Sequence, residues 1–159
     1  MTASDTKDPR DRFFSALVYL LPLFDALPFG QFILNQFPIL GLIYLPFTPL
    51  INFYYNFPFA SFIIFLLLFI AVVRNQRISY FIRFNTLQSI LIGILVSLIG
   101  IVLNFLFRGI GLNLVLETLF NLVFLGTLAA SLYGIVQSIL GRRAEIPTIS
   151  EAAYSQLPW

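Results

Sequence analysis

The sequence predicts an all-α integral membrane protein, one bundle with four membrane-crossing helices. Three observations carry that prediction. Apolar residues make up 59% of the 159-residue chain and charged ones only 10%, too few to coat a water-soluble globule. The apolar residues form continuous runs instead of alternating with polar ones, a pattern that suits helices and disfavours a membrane β-barrel. The nine basic residues gather at the ends of those runs, where positive charge orients a span. Each span needs roughly 20 apolar residues, so a chain of this length holds one membrane domain and no second sizeable one.

Taken in order, a polar tail (1–8) precedes a first span at 9–27. Asp8 can cap it, Pro9 suits the first helical position, and Asp11 lies near the positive end of the helix dipole. Pro22 kinks this span, which neighbouring helices tolerate in a membrane. Residues 28–57 are apolar but interrupted by Pro28, Pro38, Pro46 and Pro49, with Gln31, Asn35, Gln36, Asn52 and Asn56 scattered through them. They read as an interfacial or re-entrant segment. Tyr44, Tyr54 and Tyr55 then lie either at headgroup depth or along a lid or cavity. Spans two to four follow at 58–73, 84–107 and 113–140, and a cytosolic tail occupies 141–159.

Arginine placement fixes the expected topology. With 28–57 returning to the face it left, Lys7, Arg10 and Arg12, the bend Arg74, Arg77 and Arg83, and the tail pair Arg142 and Arg143 share the inner face, and only Arg108 lies outside. Both termini are then cytoplasmic or stromal. The bend and tail arginines are expected to be topology anchors, snorkelling at span ends.

Small residues recur every four positions, as Gly126, Ala130, Gly134 and Ser138 in the last span and as Ser89, Gly93 and Ser97 in the third. Each series makes a smooth face for close backbone approach, or a small-residue pore wall. Asn113, Glu117 and Asn121 share one face of the last span near its outer end, as Asn104 and Arg108 do on the third. Arg108 and Glu117 are placed to staple that hairpin as an ion pair; the alternative is a polar vestibule. Asp25 falls at the outer end of the first span, and Asn85 and Gln88 are placed to bond a neighbouring helix or the carbonyl freed by Pro22.

Other chemistries lack their residues. Cysteine and histidine are both absent, which removes disulfides, thiolate nucleophiles and haem, iron–sulfur and most zinc sites, and no two carboxylates fall at ligand spacing inside a span. No metal or other cofactor is expected. A general base would have to be Asp25 or Glu117, with no phosphate loop or serine elbow nearby, so catalysis is disfavoured. A net charge of +2 gives no reason to expect nucleic acid. The polar, partly acidic start resembles neither a signal peptide nor a transit peptide.

Four stretches together resemble the Tic-twenty family, the small polytopic subunit of the chloroplast inner-envelope translocon and its cyanobacterial relatives. They are "FFSALVYLLPLFDALPFG" (13–30), "FPILGLIYLPFTPL" (37–50), "VVRNQRISYFIRFNTLQSILIGI" (72–94) and "IPTISEAAYSQL" (146–157). The sharpest piece is the motif at Arg83, Phe84, Asn85 and Gln88. Where relatives often carry a second glutamine and then an acidic residue, this chain has Leu87 and Gly93, so no proton or cation role is carried over there. The resemblance implies four membrane helices with both termini stromal, and a place among other membrane subunits handling translocating polypeptides. With no transit peptide in view, a cyanobacterial plasma or thylakoid membrane is expected, or the inner envelope for a plastid-encoded chain. Function is then expected to be assistance to polypeptide passage or insertion, with a vestibule at Asn104, Arg108, Asn113, Glu117 and Asn121 and a bilayer thinned by short first and second spans. A small-solute or ion transporter and an assembly scaffold are the alternatives, and oligomerisation stays open.

Overall fold

The computed structural model describes residues 8–111 and 113–157. Lys7 and the tail before Asp8 lie outside the described residues. Helix α1 (Pro9–Leu17) starts where Asp8 Oδ1 accepts the Arg10 N–H at 3.1 Å. Pro22 has no N–H for the Val18 carbonyl, so the Leu21 N–H reaches it at 3.2 Å and the chain breaks at Val18–Tyr19 before α2 (Leu20–Ala26). Pro28 repeats the effect six residues later. The Leu27 N–H turns to Phe24 O as the helix tightens into a 3₁₀ turn (Leu27–Gly30), and Leu23 O loses its helical partner. Helix α3 (Gln31–Gln36) then continues the run.

The first span accordingly runs from Pro9 to Gln36, 28 residues, instead of ending at residue 27. Both prolines bend it without ending it, because shorter-range bonds replace the lost ones. A 3₁₀ stretch (Pro38–Phe47) and α4 (Thr48–Asn56) follow, then a turn at Phe59 with φ +59° into α5 (Ala60–Leu68), which widens into a π-turn (Phe69–Val73). The arms Pro38–Asn56 and Ala60–Val73 meet the requirements of a span only together and are bent by 103°. The second arm alone covers about 21 Å, short of a hydrocarbon core of about 30 Å.

Helices α6 (Tyr80–Leu106) and α7 (Leu114–Ile139) are each long and apolar enough to cross. With the first span they make three candidate crossings among the described residues, or four if the bent pair counts as one. Helix α6 begins four residues before the expected 84 because Ser79 Oγ accepts the Ile82 N–H. The expected tail is itself structured. Helix α8 (Ile149–Gln156) buries Ala153 and the following Leu157, four positions apart, against Phe84 and Leu87.

The first span is wedged between α6 and α7. Tyr19, Leu23, Phe24 and Phe29 pack against Ile92 and Val96 on one side and Phe124 and Leu128 on the other. Outward faces stay apolar, with Ile101, Phe105 and Leu122 exposed, as a bilayer solvent requires.

Candidate functional site

Polar side chains collect in two places, a sealed network at one end of the bundle and an open cavity beginning near its middle. The network is built on the first turns of α6. Tyr19, in the break between α1 and α2, donates its hydroxyl to Asn85 Oδ1 at 2.8 Å and accepts from Gln88 Nε2 at 2.9 Å. The same Gln88 amide donates to Ala144 O at 2.9 Å, and its oxygen accepts from Ser150 Oγ at 2.7 Å. Ser150 Oγ in turn accepts the Ile146 N–H at 2.7 Å. Asn85 Nδ2 returns to Phe81 O at 2.8 Å, with Ser138 Oγ 3.4 Å from Asn85 Oδ1. Tyr19, Asn85, Gln88 and Ser138 are all fully buried. Asn85 and Gln88 thus bond Tyr19 and the C-terminal segment, while the carbonyl above Pro22 is satisfied by its own helix. Four chain segments meet at these two side chains, and in an apolar medium each bond lost would strand its partner.

The arginines divide. Arg74, Arg77 and Arg142 are exposed. Arg83 is only 4% exposed, and its Nε donates to Val73 O at 2.9 Å, closing the end of the π-turn. Its role here is that of a buried cap between α5 and α6, not of a snorkelling side chain. Arg143 lies over the Tyr80 ring, 4.9 Å from its centre, and 5.8 Å from that of Tyr154, which stacks on Phe84 at 4.6 Å. Burial, helped by a hydrogen bond to Glu145, pushes the Tyr154 phenol up.

The small-residue faces receive the first span. A Cβ at Gly134 would sit 2.5 Å from the Tyr19 ring, and one at Gly93 2.8 Å from Asp25 Oδ2. Ser89 is buried and donates to Thr86 O; Ala130 packs at the core edge. Ser97 is exposed, and Gly126 faces open space.

Gly93 is the fourteenth of the 27 residues in α6, so Asp25 lies level with the middle of that helix instead of at a helix end. The longer first span explains the shift. Three tyrosines of the proline-rich segment turn inward to this level: Tyr44 donates to the freed Leu23 O at 3.1 Å, Tyr55 to Phe24 O, and Tyr54 to Asp25 Oδ1 at 2.5 Å. Two cavities flank the Asp25–Tyr54 pair, one of about 710 Å³ reaching Asn104 and Phe120, the other of about 330 Å³ along Ser89 and Gly93. Asp25, Tyr54, Ser61 and Ser97 border both.

Of the five vestibule candidates, Asn104 alone lines the larger cavity. Arg108 is exposed at the end of α6, and no ion pair joins it to half-buried Glu117 among the described residues. Asn113 caps α7 through the Leu116 N–H at 2.9 Å, and Asn121 lies one turn beyond Glu117. Sequence reasoning missed Tyr19 and Ser150, whose only signals were a hydroxyl inside an apolar run and a position within the C-terminal stretch.

The chain matches the family described as "Chloroplast import apparatus Tic20-like" over residues 4–153. It belongs to the Tic20 family. It is 61% identical to a Tic20 family protein of Synechocystis sp. over 158 residues, which is 99% of each chain. Identity to the Arabidopsis thaliana protein TIC 20-II, chloroplastic, is 35% over 98% of this chain and 76% of that one. The Tic20 family protein Ycf60 of the alga Gracilaria tenuistipitata var. liui is 37% identical over 92% and 75%. Within this Tic20 family chain the motif residues are all buried at the same end of the bundle: Asn85 and Gln88 belong to the sealed network, Arg83 caps the π-turn and Phe84 stacks on Tyr154, and none of the four lines the larger cavity.

Proposed function

We propose that this chain is a non-enzymatic membrane subunit of a protein translocation or insertion machinery, forming or supporting a path for polypeptides together with other membrane subunits. Family membership across nearly the whole chain supports the class, one relative being a chloroplastic TIC protein. The observation that carries the mechanism is the cavity of about 710 Å³ beside Asp25, within the span of α6. A polypeptide backbone entering hydrocarbon leaves N–H and C=O groups unsatisfied at several kcal/mol each. Asp25, Tyr54, Ser61, Ser97 and Asn104 offer it partners, while Phe29, Leu103 and Phe107 offer apolar side chains a wall. The groups at Arg108, Asn113, Glu117 and Asn121 form the outer approach to that cavity.

Photo-crosslinking from single positions in the full chain, with a precursor arrested in transit, tests this. Adducts are expected from Ser97 and Asn104, weaker ones from Asn121, and none from lipid-facing Leu122. Equal labelling from Leu122 would sink the reading.

In this reading both termini and the α5–α6 turn share the cytoplasmic or stromal face. Support comes from Arg12 lying against Gly141 and Arg143 over Tyr80, which gather the start of α1, the start of α6 and the end of α7 at one end. Because the chain has no cysteine, single cysteines report sidedness cleanly. Asn56→Cys and Asn113→Cys should react with an impermeant reagent from outside, Ser79→Cys and Ser155→Cys only from inside.

A further inference from the structure

Besides the two regions above, a third cavity of about 340 Å³ opens where α5 turns into α6. Its origin is the π-turn. The Arg74 N–H bonds Phe69 O, five residues back, at 3.0 Å, and the widened turn directs Val73 O to Arg83 Nε. Arg74, Arg83, Gln76 and Gln156 line the polar side, and Val73 and Leu87 the apolar side. Among the described residues that line it there is no carboxylate. Two guanidinium groups and two amides therefore converge at the end of two membrane helices, the depth at which lipid headgroups lie. The volume falls within the ~300–1,000 Å³ typical of small-ligand sites. An apolar stripe leads to it along α5, since Phe62, Leu66 and Ile70 are exposed and precede Arg74 at four-residue intervals.

Charge and shape select the ligand class. Guanidinium groups present paired N–H donors that match the oxygens of a phosphate, and the amides add donors without adding charge. Basic pockets at the ends of membrane helices suit anionic headgroups. The geometry points to a phosphate-binding pocket formed by Arg74, Arg83, Gln76 and Gln156, with an anionic phospholipid headgroup as its occupant and the exposed stripe of α5 beneath an acyl chain. Arg83 both caps α5 and supplies charge, so a bound phosphate ties the α5–α6 turn to the membrane surface. The pocket takes nothing from the Asp25 cavity and stands whether or not polypeptides pass there.

The test uses the full chain in detergent micelles and in nanodiscs, with phosphatidylglycerol as probe, phosphatidylcholine as the neutral comparison and inorganic phosphate as competitor. Retained lipid is counted by native mass spectrometry. Phosphatidylglycerol should be retained in preference to phosphatidylcholine. Arg74→Gln, at an exposed position outside the Val73 cap, should weaken that retention about fivefold. Arg77→Gln removes the same charge from the same turn, outside the pocket lining, and should change retention less than about twofold. Retention resistant to millimolar inorganic phosphate identifies the lipid as the source, whereas competition sensitive to Arg74→Gln identifies free phosphate at the same site. Equal losses in Arg74→Gln and Arg77→Gln would reduce the effect to diffuse surface charge and overturn the pocket, as would equal retention of the two lipids. Unchanged thermal unfolding of Arg74→Gln separates lost binding from lost fold.

Discussion

The two polar regions of this protein treat the same problem in opposite ways. At the motif end, Tyr19, Asn85, Gln88 and Ser150 bond one another and two backbone carbonyls, and none of them is more than slightly exposed. Level with the middle of α6, Asp25 and Tyr54 bond each other while facing cavities on both sides, with Ser61, Ser97 and Asn104 along the open walls. A satisfied network in a low-dielectric interior is rigid and specifies one arrangement of its helices. Polar groups left beside an open volume keep bonding capacity for something that arrives. The difference teaches that a polar residue inside a span has two distinct physical uses, and that only its partners tell them apart.

The largest expected effect lies in the network. Gln88→Ala takes one hydrogen bond each from the Tyr19 and Ser150 hydroxyls and the Ala144 carbonyl and leaves a cavity, for a loss of about 3–5 kcal/mol. Thermal unfolding in detergent should register it, and limited proteolysis should find the C-terminal segment released; a protected segment would break the comparison. Next comes Gly93→Ala, whose added methyl must push Asp25 aside at a cost of about 1–3 kcal/mol. Here a double-mutant cycle is decisive, because Gly93→Ala should be nearly silent in an Asp25→Ala background.

Tyr54→Phe removes only the donor to Asp25 and should cost about 1 kcal/mol, read by chemical denaturation, while increasing the accessibility of a cysteine at Ser61. Asn104→Ala marks the small end of the scale. It should change stability by less than about 0.5 kcal/mol yet lower crosslinking of an arrested precursor. A large stability loss there would mean that the cavity wall is packed structure and not a receiving surface.

Much of the fold was legible because a bilayer is an unforgiving solvent. Continuous apolar runs, Asp8 and Pro9 at a helix start, and arginines at run ends mark spans and their limits without any tertiary knowledge. The expected end at residue 27 comes from Pro28, which looks like a stop in sequence, whereas Pro22 reads as a kink. In the fold the Leu21 and Leu27 N–H groups satisfy carbonyls one residue nearer, and the helix continues to Gln36. Asp25 was misplaced for that reason alone. The vestibule was sought on the polar faces of α6 and α7 at their outer ends, but Asn113 serves its own helix as a cap. The cavity arises instead where the bent α4–α5 pair stands against α6, a junction that helical periodicity within one element does not encode.

By itself the sequence determined the solvent, the class of element and the presence of two long apolar helices, because each follows from local composition, one peptide at a time. It also carried the family motif, since Arg83, Phe84, Asn85 and Gln88 are neighbours along one helix. Only the tertiary structure decided what those residues bond, which tyrosine meets Asp25, and where space is left over. Such pairings join residues up to 69 positions apart, as for Gln88 and Tyr19, and depend on how bent helices stack. The physical reason is that burial is a sum over local side chains, whereas a hydrogen bond or a cavity exists only between surfaces that packing has brought together.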